Sequence, residues 1–394
     1  MNPAIDIIGN NNCAGCYGCF NICAQDAIEM NLNNDGFMEP SIDIEKCIYC
    51  GICQKYCPII NNQLTETLDI PISLAAWSRN DHIRTNSSSG GVFTEIAKTV
   101  LKEGGIVFGV AFDNALIARH VSIEIEEDIS RIRGSKYVQS HVDDAYEKAV
   151  SIALQGIPVL FSGTPCQIAA INLFIQSNPG IEIYTCEVIC LGVPSESVFR
   201  SYLDYISKLK NSEIREYRFR DKTLGWKKYG TKIIFDNGEE YLTTRQIDPF
   251  MIGFFRKIYL RSVCYDCPFA KIPRGSDITL GDFWGVPKEL DDFRGVSAII
   301  INTPKGEKLF EKVSNIEKVK VSIDQIASNN IRLVNGHLET SPYRKEFYKL
   351  LEMNGFQVAM EKYLKPYTWF QKCLLAPKYG YRILLRYIHS HAEA

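Results

Sequence analysis

Thiols dominate the chemistry open to this chain. Eight of its fourteen cysteines fall within the first 57 residues, in two runs of one spacing: Cys13-x2-Cys16-x2-Cys19-x3-Cys23 and Cys47-x2-Cys50-x2-Cys53-x3-Cys57-Pro58. A loop with a thiolate at every third residue can wrap three corners of an iron-sulfur cube. The fourth thiolate, set one residue further on, points elsewhere and ligates the other cluster. The spacing therefore predicts one [4Fe-4S] cluster on Cys13, Cys16, Cys19 and Cys57, and a second on Cys47, Cys50, Cys53 and Cys23. A pair of such clusters moves electrons.

This is the spacing of a two-cluster bacterial ferredoxin, with Ala24 where the first run would usually carry proline. Two other readings compete. A disulfide framework needs an oxidising compartment, yet the chain opens MNPAIDIIGN, with no basic stretch leading into an apolar one. Structural zinc usually takes paired C-x2-C ligands across a long spacer, not duplicated triplets with a trailing cysteine. Reduced thiols and a cytoplasmic setting, in a cell with little oxygen, are the expectation.

Six cysteines remain: Cys166, Cys186, Cys190, Cys264, Cys267 and Cys373. Cys166 follows an apolar run and a Gly-Thr-Pro turn, which predicts an exposed thiol at a helix start, where the helix dipole favours thiolate. Cys190 closes another apolar run, and Cys264-x2-Cys267-Pro268 forms a metal-type knuckle. These four could hold a third [4Fe-4S] cluster. They could equally be scattered small hydrophobes, with the C-x2-C a zinc half-site or a redox dithiol. Cys186 and Cys373 read as structural. A second kind of site lies at Asn86-Ser87-Ser88-Ser89-Gly90-Gly91, just before an expected helix from Val92, where free amides and small hydroxyls suit a phosphate or only an ordinary capped turn. Nearby, Arg133 and Lys136 in RGSKYVQS offer cations to an anionic flavin or its phosphates.

The elements that must position these residues follow from periodicity. Residues 59–73 are polar and aperiodic, a linker out of the cysteine-rich module. From residue 74 strand-like runs (SLAAW, IVFGVAF, PVLFSG, IEIYTCEVIC) alternate with helical patterns over residues 92–102 and 143–154 and after Cys166. Alternation over residues 216–242, with Asn237-Gly238 as a hairpin turn, predicts inserted antiparallel strands and hence a mixed sheet. Beyond residue 335, KEFYKLLEM and YRILLRYIH read as amphipathic helices, packed on the body or lying on a membrane surface. The chain of 394 residues, 46% hydrophobic with a formal charge of -2, can bury a full core and points to no nucleic-acid partner. No apolar run approaches the roughly 18 residues of a membrane span. Residues 1–60 hold seven acidic and two basic side chains, and residues 341–394 nine basic and four acidic. An acidic front can steer toward a basic redox partner, or be an ordinary solvated surface.

Taken together, SSSGGVF (87–93), GSKYVQS (134–140), FSGTPCQIAAI (161–171), CLGVPS (190–195), FRDKTLGW (219–226) and CYDCPFA followed by RGSDITLGDFWG (264–285) resemble the beta subunit of coenzyme F-420 hydrogenase/dehydrogenase fused to an N-terminal ferredoxin. The resemblance runs to about residue 330. It implies FAD, a third [4Fe-4S] cluster beside the flavin on Cys166, Cys190, Cys264 and Cys267, and hydride exchange with a deazaflavin such as coenzyme F-420 or another organic substrate. A flavin can take two electrons as hydride and pass them on singly. Leu191 stands where relatives commonly carry His, which removes a candidate proton donor beside Cys190. The family name is a poor guide to substrate.

The expected architecture is mixed α/β (α+β): a two-cluster ferredoxin domain over residues 1–62, a mixed-sheet FAD and iron-sulfur domain over 74–334, and a helical region over 335–394. Ser88, Ser89, Gly90 and Gly91 are expected at the flavin phosphates and Lys136 near the ring or substrate. Asp282 and Trp284 are expected to line the pocket, with Lys136 and Asp282 as the catalytic candidates. Electrons would enter from a redox partner protein or a small donor. Two rivals stand beside this oxidoreductase: an electron-relay subunit of a larger hydrogenase or dehydrogenase, and a non-catalytic redox sensor or scaffold.

Overall fold

The computed structural model describes residues 1–61 and 66–366. Thirteen strands are present among them: β1 Ile28–Leu32, β2 Met38–Ile42, β3 Ile72–Ser78, β4 Ile106–Phe112, β5 Ala118–Ile123, β6 Val159–Gly163, β7 Ile183–Val188, β8 Ile214–Asp221, β9 Gly230–Phe235, β10 Glu240–Thr244, β11 Ile278–Asp282, β12 Ser297–Ile301 and β13 Ile316–Lys320. Eight of them form one sheet in the order β13-β3-β12-β11-β7-β6-β4-β5. Its centre is parallel, β11 beside β7, β7 beside β6 and β6 beside β4, and its outer pairs are antiparallel. Strands covered on both faces must be apolar throughout, and every residue of β12 is buried.

Helices cover the sheet. The Val92–Lys102 helix turns Val92, Ile96, Ala97 and Val100 inward, the spacing of one helical face. The Pro165–Ser177 helix starts on a Thr164/Gln167 capping box with proline at its first turn. Another helix begins at Ala145 rather than at residue 143, because Asp143 has a left-handed φ of 48° that a helix cannot continue.

The mixed sheet is present, but for a different reason from the one the alternating segment suggested. β8, β9 and β10 do not join it; they form their own antiparallel sheet. Their inward positions, among them Tyr217, Phe219, Ile233 and Phe235, pack with Phe199, Tyr202, Phe250 and Tyr259 into an aromatic core of their own. The C-terminal region is helical over Arg344–Tyr363, broken at Gly355 with φ 77°. Its second expected stretch, YRILLRYIH, and Cys373 lie outside the described residues. Among the described residues no helix is long and apolar enough to cross a membrane.

The N-terminal module carries the β1–β2 hairpin and is built into the body. Tyr17 and Met38 share an apolar cluster with Phe108, Tyr146, Phe161, Ile168 and Phe174. Tyr56 packs on Phe174 with ring centroids 4.6 Å apart. Tyr146 Oη donates to the Cys16 carbonyl at 2.8 Å, and Asn21 Nδ2 to that of Asp143 at 2.7 Å. Phe161, fully buried on β6, stands at the junction, 5.6 Å from the Phe108 ring and 5.4 Å from Tyr146. Phe161→Ala is expected to cost about 3–5 kcal/mol in chemical denaturation, and Phe161→Leu clearly less; equal costs would show that ring volume does not hold the junction.

Candidate functional site

The two N-terminal cysteine runs fold alike. Each bends through a left-handed residue before a short helix, Tyr17 with φ 67° before Gly18–Asn21 and Gly51 with φ 76° before Ile52–Lys55. Tyrosine is strained there, and its burial at 2% exposure holds it. Burial raises the Cys16 thiol well above its ordinary range, followed by the neighbouring Cys57 and Cys19 thiols. Cys19 is raised by burial and then by Cys13, Cys57 and Cys53, and Cys53 by burial and, among its neighbours, by Cys50, Cys23 and Cys47. Most of these neighbours belong to one expected group of four, while Cys53 acts on Cys19 and Cys57 from the other, so the two runs stand side by side. Backbone amides donate to sulfur, Gly15 N to Cys13 Sγ at 3.4 Å and Ala4 N to Cys53 Sγ at 3.3 Å.

Cys166, Cys190, Cys264 and Cys267 also come together. Burial pushes Cys166 up to about 12, with Cys267 and Cys264 adding to the rise. Cys190 is raised by burial and then by Cys264, Cys166 and Cys267. The expectation of an exposed, thiolate-favouring Cys166 is therefore corrected: the residue is half-buried, and desolvation outweighs the dipole. Cys186 stays apart, with Glu187 and Asp277 rather than thiols as its charged neighbours. The described cysteines are free thiols. Among the described residues no three His, Cys, Asp or Glu side chains gather closely enough for a single metal ion. Thiols crowded in low dielectric ionise only when a strong local positive charge is supplied, as iron would supply it.

The second set borders a cavity of about 290 Å³. Its wall includes Cys166 and Cys190, the serine loop, residues 133–140, and Gly15 between the first two N-terminal cysteines. Ser88, Ser89, Gly91, Lys136 and Asp282 reach that wall. The helix behind Gly91 has no side-chain cap, which leaves its first amides toward the cavity side. Ser88 Oγ accepts from Ser135 N at 2.9 Å and joins the two loops. Gly90 and Trp284 do not line the wall. Gly90 faces the sheet: its amide donates to Ser297 Oγ at 3.0 Å, and a Cβ would fall 2.5 Å from the Ala76 carbonyl oxygen. Trp284 lies behind the wall, stacked on Trp226 at 5.2 Å. Asp282 gives both carboxylate oxygens to Arg220, at 2.6 and 2.9 Å, and accepts from Trp226 Nε1 at 3.0 Å. It holds an arginine rather than standing free for proton transfer.

Several positioning residues escaped the sequence. Arg220 also donates to Tyr137 Oη and to the Ser88 carbonyl, each at 2.9 Å. Lys222 Nζ donates to the carbonyls of Arg84, Ser89 and Arg294 at 2.6, 2.6 and 2.9 Å, and burial draws it down to about 7. Arg332 donates to the carbonyls of Cys264 at 3.1 Å and Gly336 at 2.7 Å, which ties the knuckle down. The FRDK wording held the first two, but nothing in it named their partners.

Two regions of the chain match the family described as coenzyme F420 hydrogenase/dehydrogenase, beta subunit: residues 73–147 match its N-terminal part and residues 158–326 its C terminus. Residues 12–59 match a 4Fe-4S dicluster domain. The protein is thus an iron-sulfur electron-transfer protein. It belongs to the coenzyme F420 hydrogenase/dehydrogenase beta-subunit family, with a dicluster module ahead of the family's two regions. Among curated proteins it is similar to an uncharacterized polyferredoxin-like protein of Methanocaldococcus jannaschii, 39% identical over 57 residues that make 12% of this chain and 34% of that one. The chain spans about a third of that relative's length. A chain of the F420-reducing [NiFe] hydrogenase complex from Methanosarcina barkeri, solved as a xenon derivative, aligns with TM-score 0.47 and 17% identity over 76% of this chain and 92% of that one.

Lys136 Nζ donates to the carbonyls of Arg131 at 3.2 Å and Arg133 at 2.9 Å, and burial draws its ammonium down to about 7. A lowered lysine is charged below that value and neutral above it. FMN, used as an anionic probe, should therefore bind more tightly at about pH 6 than at about pH 8. Fluorescence titration checks this, and Lys136→Met should flatten the slope. A slope that survives the substitution assigns the pH dependence to another group.

Proposed function

We propose that the chain is an iron-sulfur flavoprotein oxidoreductase. Cys13, Cys16, Cys19 and Cys57 hold one [4Fe-4S] cluster, Cys23, Cys47, Cys50 and Cys53 a second, and Cys166, Cys190, Cys264 and Cys267 a third, with FAD at the cavity. The single observation that carries this reading is the cavity wall, where thiols of the last set, an uncapped helix start and the Cys13–Cys16 turn meet. A flavin bound there supplies two-electron exchange with an organic substrate and one-electron exchange with clusters. The chain's own residues do the rest. The amides after Gly91 and the linked Ser88 and Ser135 receive phosphate, Lys136 brings a cation, and Asp282 fixes Arg220 beneath the serine loop. A cavity of about 290 Å³ takes a fused ring system rather than a whole dinucleotide, whose remainder extends beyond it. Coenzyme F-420 is the first substrate to try, and the cytoplasm is the setting that reduced thiols favour.

A relay role has its own support on the N-terminal module. Cys50 is exposed, and Ile44 and Ile48 beside it are 72% and 64% exposed. Apolar side chains next to an exposed thiol suit a docking protein.

Anaerobic purification with iron, sulfide and acid-released flavin measured per chain tests the reading: about twelve irons and one FAD are expected. About eight irons and no flavin would reduce the body to a support for its dicluster module. Cys264→Ser is expected to lower the iron by about four and leave the N-terminal pair intact; unchanged iron would remove Cys264 from the ligand set.

A further inference from the structure

Arg261 is 2% exposed, and the oxygens its head donates to are all neutral. Nη1 donates to the Cys13 carbonyl at 3.0 Å; Nη2 donates to the Met38 carbonyl at 2.6 Å and to Gln139 Oε1 at 2.8 Å. Nε has no partner among the described residues. The guanidinium lies over the Phe37 ring at 5.0 Å. Glu39 feels its charge, but that carboxylate accepts from Asn33 Nδ2 at 2.7 Å instead. A buried cation with neutral partners is costly unless an anion compensates it.

The main chain sets this cation beside two cysteine-bearing segments. Arg261 begins the segment that carries Cys264, whose amide donates back to the Arg261 carbonyl at 3.0 Å. Its head reaches across the seam to the Cys13–Cys16 turn. Gly15 makes room there, because a Cβ at that position would fall 2.6 Å from Arg261 Nη2. Gln139, which accepts from the guanidinium at 2.8 Å, lines the cavity wall together with Gly15, Cys166 and Cys190. One cation therefore stands between two cysteine sets.

We propose that Arg261 is an electrostatic bridge between the cluster on Cys13 and the cluster on Cys264, raising the reduction potential of both so that either accepts an electron from a low-potential one-electron donor. This rests on the three-cluster reading above. Each reduction adds one electron and makes or breaks no bond. A guanidinium's positive charge favours the reduced, more negative state of both neighbours. The bridge keeps the two potentials moving together, which a cation on one side cannot do. Arg332 is such a one-sided cation: it donates to the carbonyls of Cys264 at 3.1 Å and Cys190 at 3.5 Å, both of the same set.

Potentiometric titration with dithionite, followed by EPR on the full-length protein, reads the clusters separately. Arg261→Gln is expected to lower two of three midpoints together by roughly tenfold in the reduction equilibrium, about 59 mV for one electron. Arg261→Lys, which keeps the charge, should restore most of the shift, and Arg332→Gln should move one midpoint only. Gln139→Glu sets a carboxylate against the guanidinium without removing it, and should lower the same two midpoints if the arginine variants fold poorly. Three signals with unshifted midpoints in Arg261→Gln, or in Gln139→Glu, overturn the bridge alone. A wild type with only two signals overturns the three-cluster reading, and the bridge with it.

Discussion

The seam between the N-terminal module and the central sheet is the constraint on which the rest depends. Electron exchange falls steeply with separation, so thiols distant in sequence must be held close without a flexible tether. Tyr17, Met38, Tyr146 and Phe161 close the seam with apolar surface. Gln139 fixes it with polar contacts, accepting from Met38 N at 3.1 Å and donating to the Gly15 carbonyl at 3.2 Å. Gly15, beside Cys16 in the chain, reaches the cavity wall that Cys166 lines only through this packing.

Buried cations in this fold are of two kinds. Arg220 and Arg274 are paired with Asp282 and Glu187, so their desolvation is offset by an opposite charge in good geometry. Arg261 and Arg332 instead donate to carbonyl and amide oxygens. A carbonyl satisfies a donor but leaves the charge in place, and each of these two stands beside cysteines. The same low dielectric that raises the thiols makes a nearby positive charge act strongly on them.

The cavity shows the same division between what holds and what is held. Lys222 and Arg220 grip carbonyls of the serine loop from behind, so the loop's shape is set by its backbone. Its hydroxyls are held as well, Ser88 Oγ by Ser135 N and Ser89 Oγ by the Val296 carbonyl at 2.8 Å. Asp282 belongs with the holding groups, and Trp284 with the core.

The sequence by itself determined the dicluster module of the first 57 residues, because the cysteine spacing in a short loop is a local matter of reach. It also determined the Val92–Lys102 helix and the strands of the central sheet, whose apolar runs are long and cleanly bounded. Local wording placed Ser88, Ser89, Gly91, Lys136 and Asp282 near one another, since each sits at the end of an element that the sheet gathers. Only the tertiary structure decided that β8, β9 and β10 leave that sheet, that Gly90 turns inward, and that Cys166 is desolvated. Those outcomes depend on what covers each residue, and the covering atoms come from segments far away in the chain. Arg261 shows the limit most plainly: in sequence it is one arginine before a C-x2-C knuckle, and its meaning comes from a carbonyl 248 residues away.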